Sequence, residues 1–208
     1  MDYEEQISKK YLSRSEMKKR TAHFPDLKGF DGGLPDSNMP CAERILYNVI
    51  GFQPPAEETK NGVVSPVGEK AARMSAIKIS EGFNLGYCEA LPGKGPMMHN
   101  HDTNETFICM TGKWQASWEN EDGSIESTDL KPLDVISFPP GMIRRFENIT
   151  DGSKEQYSVL MFVISGDGPG AEFSAKAMKE IDEAGLLDSS QEETNDSWIK
   201  PHTDTYKS

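Results

Sequence analysis

Cysteine is scarce in this chain: Cys41, Cys88 and Cys109 are the only three in 208 residues, and they form no Cys-x-x-Cys pair. An odd number at wide spacing argues against a disulfide framework and a cysteine-ligated zinc site, so a reducing, cytoplasmic location is the expectation. Basic residues are also in short supply. With 22 Lys and Arg against 34 Asp and Glu the net charge is −12, which argues against nucleic acid or an anionic membrane as a main partner. No apolar run approaches the length needed to cross a bilayer, and the opening Met1-Asp2-Tyr3-Glu4-Glu5 lacks the apolar core of a secretory signal. The sequence also has no phosphate-cradling glycine loop, dinucleotide fingerprint or nucleophile elbow. Any chemistry must be sought elsewhere.

Histidine is rare too, with four residues, yet two of them fall in the most informative stretch of the chain. In His99-Asn100-His101-Asp102-Thr103-Asn104-Glu105, alternation along a strand projects His99 and His101 to one face, and a short turn lets Glu105 join them from the next strand. Two imidazoles and a carboxylate on one side of an ion leave positions open for a substrate or dioxygen. Such a set suits a divalent transition metal, Fe(II) first, with Mn, Ni, Co or Zn as alternatives.

The flanking residues extend the pattern to Gly93-x5-His99-x-His101-x3-Glu105-x6-Gly112. About twenty residues on, a run from Leu133 to Asn148 contains a Pro139-Pro140-Gly141 turn and ends in asparagine. Together these resemble the two motifs of the cupin superfamily over roughly residues 83–164. The resemblance implies a double-stranded β-helix, the jelly-roll barrel, with His99, His101 and Glu105 as metal ligands. Two positions depart from it. Leu133 stands where the family usually has glycine, and Arg144 where it usually has a fourth, histidine ligand.

The rest of the sequence fits one all-β domain with extensions. Residues 4–20 have helix-forming composition, 24–40 are loop-like, and 44–52 read as a strand. Short apolar or alternating runs follow at 75–80, 83–90, 97–101, 105–111, 113–118, 124–130, 134–138, 143–149 and 156–165, the density of an antiparallel barrel or sandwich. Residues 171–187 read as a helix with Phe173, Ala177, Met178 and Ile181 on the stripe that packs on the barrel. The expected organisation is an N-terminal helix and arm over 1–72, the barrel over 73–168, and a C-terminal helix with an acidic tail over 169–208. Some seventy residues without an obvious core of their own, ahead of a barrel family that commonly pairs, suggest a homodimer.

Strand parity then selects the pocket. Glu105, Phe107 and Cys109 share a side, as do Arg144, Phe146 and Asn148, whereas Arg145 and Glu147 face outward. Met98, Phe107, Phe146 and Asn148 are the expected substrate-binding residues, with Arg144 as catalytic and substrate-binding residue. Two readings of Arg144 stand at this point: it clamps an anionic group of a small substrate over the metal, the favoured one, or it pairs with Glu105 or another acid and the metal site is degenerate. Cys109 reads as a small hydrophobe, and His23 as a residue that the N-terminal arm could carry to the barrel mouth. Small metal-dependent cupins include dioxygenases, decarboxylases, lyases and isomerases. The expected function is a metal-dependent enzyme, dioxygenase-like, acting on a small anionic organic molecule. Its rivals are a non-catalytic metal- or small-molecule-binding cupin and a cupin lyase or isomerase.

Overall fold

Runs of β-branched and aromatic residues separated by Gly, Pro, Asn and Asp commit most of this chain to short strands. The computed structural model describes residues 7–51, 65–79, 81–152, 155–187 and 199–200. A short helix α1 (Arg14–Lys18), closed by a capping box between Ser13 and Glu16, and a 3-10 turn at Phe24–Asp26 precede β1 (Gly29–Phe30) and β2 (Ile45–Ile50). After α2 (Glu69–Ala72) come β3 (Phe83–Ala90), β4 (His99–His101), β5 (Glu105–Cys109), β6 (Trp114–Glu119), β7 (Ile125–Leu130), β8 (Val135–Phe138), β9 (Arg144–Asn148) and β10 (Ser158–Ser165). The chain continues through β11 (Ala171–Phe173), α3 (Ala175–Glu183) and β12 (Ile199–Lys200).

The strands form two sheets, ordered β12-β1-β2-β3-β10-β5-β8 and β11-β4-β9-β6-β7. Neighbours are antiparallel throughout. Alternating inward residues of both sheets build the core, where Phe107 meets Phe146 with ring centroids 4.6 Å apart and Phe138 at 5.6 Å, and Trp114 packs on Phe146 at 5.9 Å. The expected all-β jelly-roll is the architecture found. Gly112 shows why one motif glycine is needed: its φ is +71°, and a Cβ there would sit 2.1 Å from the Ser158 hydroxyl. At the other departure from the motif, Leu133 holds φ +76°, the one non-glycine residue with positive φ among those described.

Four expectations change. Within 75–79 there is one bridge, Ile77 with Ile50, and the Ala76 and Ile77 amides donate to the Asn48 and Val49 carbonyls at 3.1 and 2.8 Å, short of a full ladder. Residues 171–173 form strand β11, antiparallel beside β4, and the helix starts only after Ser174, whose Oγ accepts from the Ala177 amide at 3.2 Å and so sets the N-cap. The N-terminal segment is more than an arm packed on the barrel, since β2 is an integral strand between β1 and β3 with nearly all of its residues buried. Within residues 7–20 the helix spans only Arg14–Lys18, and nothing on it is buried to hold a longer one. Residues 1–6 and most of the expected acidic tail lie outside the described residues, although Ile199–Lys200 pairs with β1.

Outside the seven-stranded sheet, Phe24 rests on Tyr47 and Tyr87 at 5.5 and 5.0 Å, within a second apolar cluster that includes Leu27 and Val49. This covers the outer face with the segment carrying His23. His23 itself is exposed. Helix α3 buries Ala177 and Ile181 against Met97 and Phe173, as its apolar stripe predicts. Among the described residues, no helix is long and apolar enough to cross a membrane.

Candidate metal centre

Strand β4 presents His99 and His101 to the interior, and β5 brings Glu105 beside them; one ligand atom from each lies within 4.8 Å of the others, and all three residues are buried. The imidazole rings stand nearly perpendicular, with centroids 5.3 Å apart. Each ring is fixed from behind. His99 Nδ1 is 2.8 Å from the Met97 carbonyl and His101 Nδ1 is 2.8 Å from the Gly170 carbonyl, contacts that place the proton on Nδ1 and leave Nε2 as the available lone pair. Burial, then the nearby Arg144 guanidinium and His101, hold His99 well below the usual imidazole range. It is neutral and ligand-competent at neutral pH.

Arg144 occupies the expected inward position on β9, but it faces Glu105. Its Nη2 and Nε donate to Glu105 Oε2 at 2.5 and 3.0 Å, and Nη1 donates to the His99 and Met142 carbonyls at 3.2 and 3.4 Å. Burial by itself would raise the Glu105 carboxyl; Arg144, and then His101, outweigh it and bring the group down to about 2. Glu105 is thus an anion, and its Oε1 accepts no hydrogen bond from the described residues. Two imidazole Nε2 atoms and one carboxylate oxygen, each with its opposite side already bonded, fit a divalent transition metal.

A cavity of about 30 Å³ reaches this cluster. Its wall is mostly apolar, with Phe146, Phe162 and Phe173 among its residues; apart from His99, His101 and Glu105, Arg44 is the only polar or charged side chain on it among the described residues. The expected substrate-binding residues stand differently to this cavity. Phe146 lines it. Arg144 stands behind Glu105 with its guanidinium committed to protein acceptors, so the clamp reading gives way to the ion pair. Phe107 belongs to the aromatic core, and Asn148 spends its amide on the Ala90 carbonyl at 2.7 Å and on the Thr150 amide at 2.9 Å. Met98 is not on the wall; it is half-buried in the bend that precedes β4. Cys109 is buried in the core, and burial, with Asp134 nearby, pushes its thiol up to about 11. Arg145 and Glu147 form the expected outward pair at 2.7 Å.

Arg44 is what sequence reasoning missed. It precedes β2, 7% exposed, with Nη1 and Nη2 bound to the two Asp36 oxygens at 3.1 and 2.9 Å. A single arginine ahead of an apolar strand carries no motif. The signal that could have found it is the cost of placing a guanidinium where the chain turns inward, which requires an acidic partner such as Asp36.

No protein-family model matches this chain, and no curated protein matches it significantly. Solved structures do. A structure of oxalate oxidase aligns over 86% of this chain and 84% of its own, with a TM-score of 0.50 at 12% identity. Oxalate decarboxylase from Bacillus subtilis, a protein with Mn(II) centres, aligns over 69% of this chain and 28% of its own, with a TM-score of 0.45 at 14% identity. A cupin superfamily protein from Desulfitobacterium hafniense aligns over 44% of this chain and 73% of its own, with a TM-score of 0.36 at 12% identity. The oxalate oxidase structure shares this chain's fold. At these identities the likeness is one of architecture, and chemistry has to be argued from the site.

Proposed function

We propose that this protein is a metal-dependent cupin enzyme acting on a small anionic organic substrate, and that its reaction is an oxygenation. The observation that carries the reading is the buried His99, His101 and Glu105 cluster, with its rings fixed from behind, at the wall of a mostly apolar cavity. His99 Nε2, His101 Nε2 and Glu105 would hold the ion. When bound, a divalent metal supplies Lewis-acid polarisation of a substrate oxygen and, if it is Fe(II) or Mn, electrons for dioxygen chemistry.

The anionic character of the substrate rests on charge. Asp36 and Arg44 cancel, Glu105 and Arg144 cancel, and His99 is neutral, so a divalent ion leaves uncompensated positive charge in a buried, apolar site. An anionic substrate removes that imbalance. The aromatic wall excludes water from the reacting groups, and the backbone contacts behind both histidines keep their lone pairs aimed at one point.

Elemental analysis of the purified protein, beside a His99→Ala, His101→Ala variant, tests the metal; oxygen consumption with a panel of small organic acids tests the reaction. The proposal predicts close to one divalent ion per wild-type chain and none in the variant, and equal content in both overturns it. One observation favours a second reading, a non-catalytic metal- or anion-binding cupin. Arg144 already compensates Glu105, so the fold keeps its charge balance without a metal. Metal uptake with no turnover of any acid supports that reading. We also propose a homodimer, for which light scattering giving the monomer mass would be contrary evidence.

A further inference from the structure

We infer that Arg44 is the anchor for a carboxylate group in this cavity, and that the ligand class is a compact carboxylic acid. The inference rests on the metal-site reading only for what stands beside the anchor. Arginine presents five N–H donors. In Arg44 the end formed by Nη1 and Nη2 grips both Asp36 oxygens, and the second Nη1 donor goes to the Ala42 carbonyl at 2.8 Å. That leaves the Nε–H and the adjacent Nη2–H, which lie along one side of the guanidinium and match the two oxygens of a carboxylate. Among the described residues neither has a partner.

Asp36 makes this arrangement rigid. It is fully buried and also accepts from the Met97 amide at 3.0 Å, so the group that orients Arg44 is tied to the segment that leads into β4, the strand of His99 and His101. The remaining wall offers hydrocarbon and aromatic surface, which gives the ligand no second cationic contact. A volume of about 30 Å³, where one water needs about 10–15 Å³, selects a body of few heavy atoms. Acid rather than amide or ester is selected because an Nε–H and Nη2–H pair needs two parallel acceptors, and a neutral amide supplies one.

The test titrates the full-length, nitrogen-15-labelled protein with acetate and, separately, with acetamide, following the Arg44 Nε–H resonance with and without Zn(II). Acetate is expected to move that resonance saturably and acetamide to leave it in place. An Asp36→Asn, Arg44→Gln variant, which removes the buried pair as a unit, should bind acetate at least tenfold more weakly while taking up the same zinc. Should that variant not fold, Arg44→Lys keeps the charge opposite Asp36 and should still weaken acetate severalfold. A silent Nε–H resonance, equal responses to acetate and acetamide, or undiminished acetate affinity in the variants would overturn the anchor. Zinc uptake is read separately, so a chain that takes up no zinc overturns the metal reading while the acetate titration still decides the anchor.

Discussion

Replacing Arg144 by methionine keeps most of the aliphatic stem and deletes the guanidinium. It leaves Glu105, 3% exposed, with an unpaired carboxylate whose nearest remaining partner is His101 Nε2 at 3.6 Å. Removing one partner of a buried ion pair costs about 3–5 kcal/mol, because the charge left behind keeps its desolvation penalty. In a chain of this length each kcal/mol moves the melting temperature by about 2–4 °C, so the metal-free variant should melt roughly 6–20 °C below the wild type. A divalent ion takes over the compensation of Glu105 and no longer has a guanidinium beside it. The stabilisation by zinc should therefore be larger in Arg144→Met than in the wild type, following the ligand linkage. Thermal denaturation of both proteins, in chelator and in zinc, measures the two effects. A control at Arg145, whose pair with Glu147 is partly solvated, should cost at most about 1 kcal/mol when mutated to alanine. If the metal-free Arg144→Met protein melts with the wild type, or if zinc stabilises both equally, the ion pair does not carry the compensation assigned to it.

Three further outcomes follow from single residues. Leu133→Gly should stabilise the fold by about 0.5–1 kcal/mol, read as a higher urea midpoint at unchanged slope, because a 79% exposed leucine is relieved of φ +76° with little burial to lose. Glu105 in the metal-free protein, at about 2 against an ordinary 4.5, contributes stability that is complete above pH 4.5 and is lost as pH falls toward 2. Denaturant midpoints should fall more steeply between pH 5 and 3 in the wild type than in Glu105→Gln. A thiol reagent should modify one cysteine of the native protein rapidly, the exposed Cys41; Cys88 and Cys109, raised by burial to about 12 and about 11, should react only on unfolding.

Period-two alternation carried most of the barrel. It correctly sorted Glu105, Phe107, Cys109, Arg144, Phe146 and Asn148 inward and Arg145 and Glu147 outward, because a strand buried on one face leaves no other register open. The same rule, applied to the expected strand 97–101, separates Met98 from His99, but the observed β4 starts only at His99. What parity does not report is distance along the barrel axis. Phe107 and Asn148 point inward at levels filled by the core or by the turn to Thr150, and only the cavity tells those levels apart. Partner choice is equally hidden. The sequence offers Arg144 both Glu105 and a ligand carboxylate, and the protein carboxylate, held on the neighbouring β5, has no association entropy to overcome. Arg44 and β11 were out of reach for another reason: their roles come from contacts with segments distant in the chain, to which local pattern is blind.

The contact behind His101 sets an order of events in the life of the molecule. The hairpin bearing His99, His101 and Glu105 has its ligand residues together in sequence, but the carbonyl that fixes the ring of His101 belongs to Gly170, sixty-nine positions later. Until β11 has closed beside β4, that imidazole is free to turn and to shift its proton between nitrogens. A nascent chain ending before Gly170 therefore carries the three donors without their shared aim. If the proposed ion binds, its loading is coupled to the pairing of β11 with β4, and a fragment truncated ahead of β11 would present the motif complete in letters and incomplete as a ligand set.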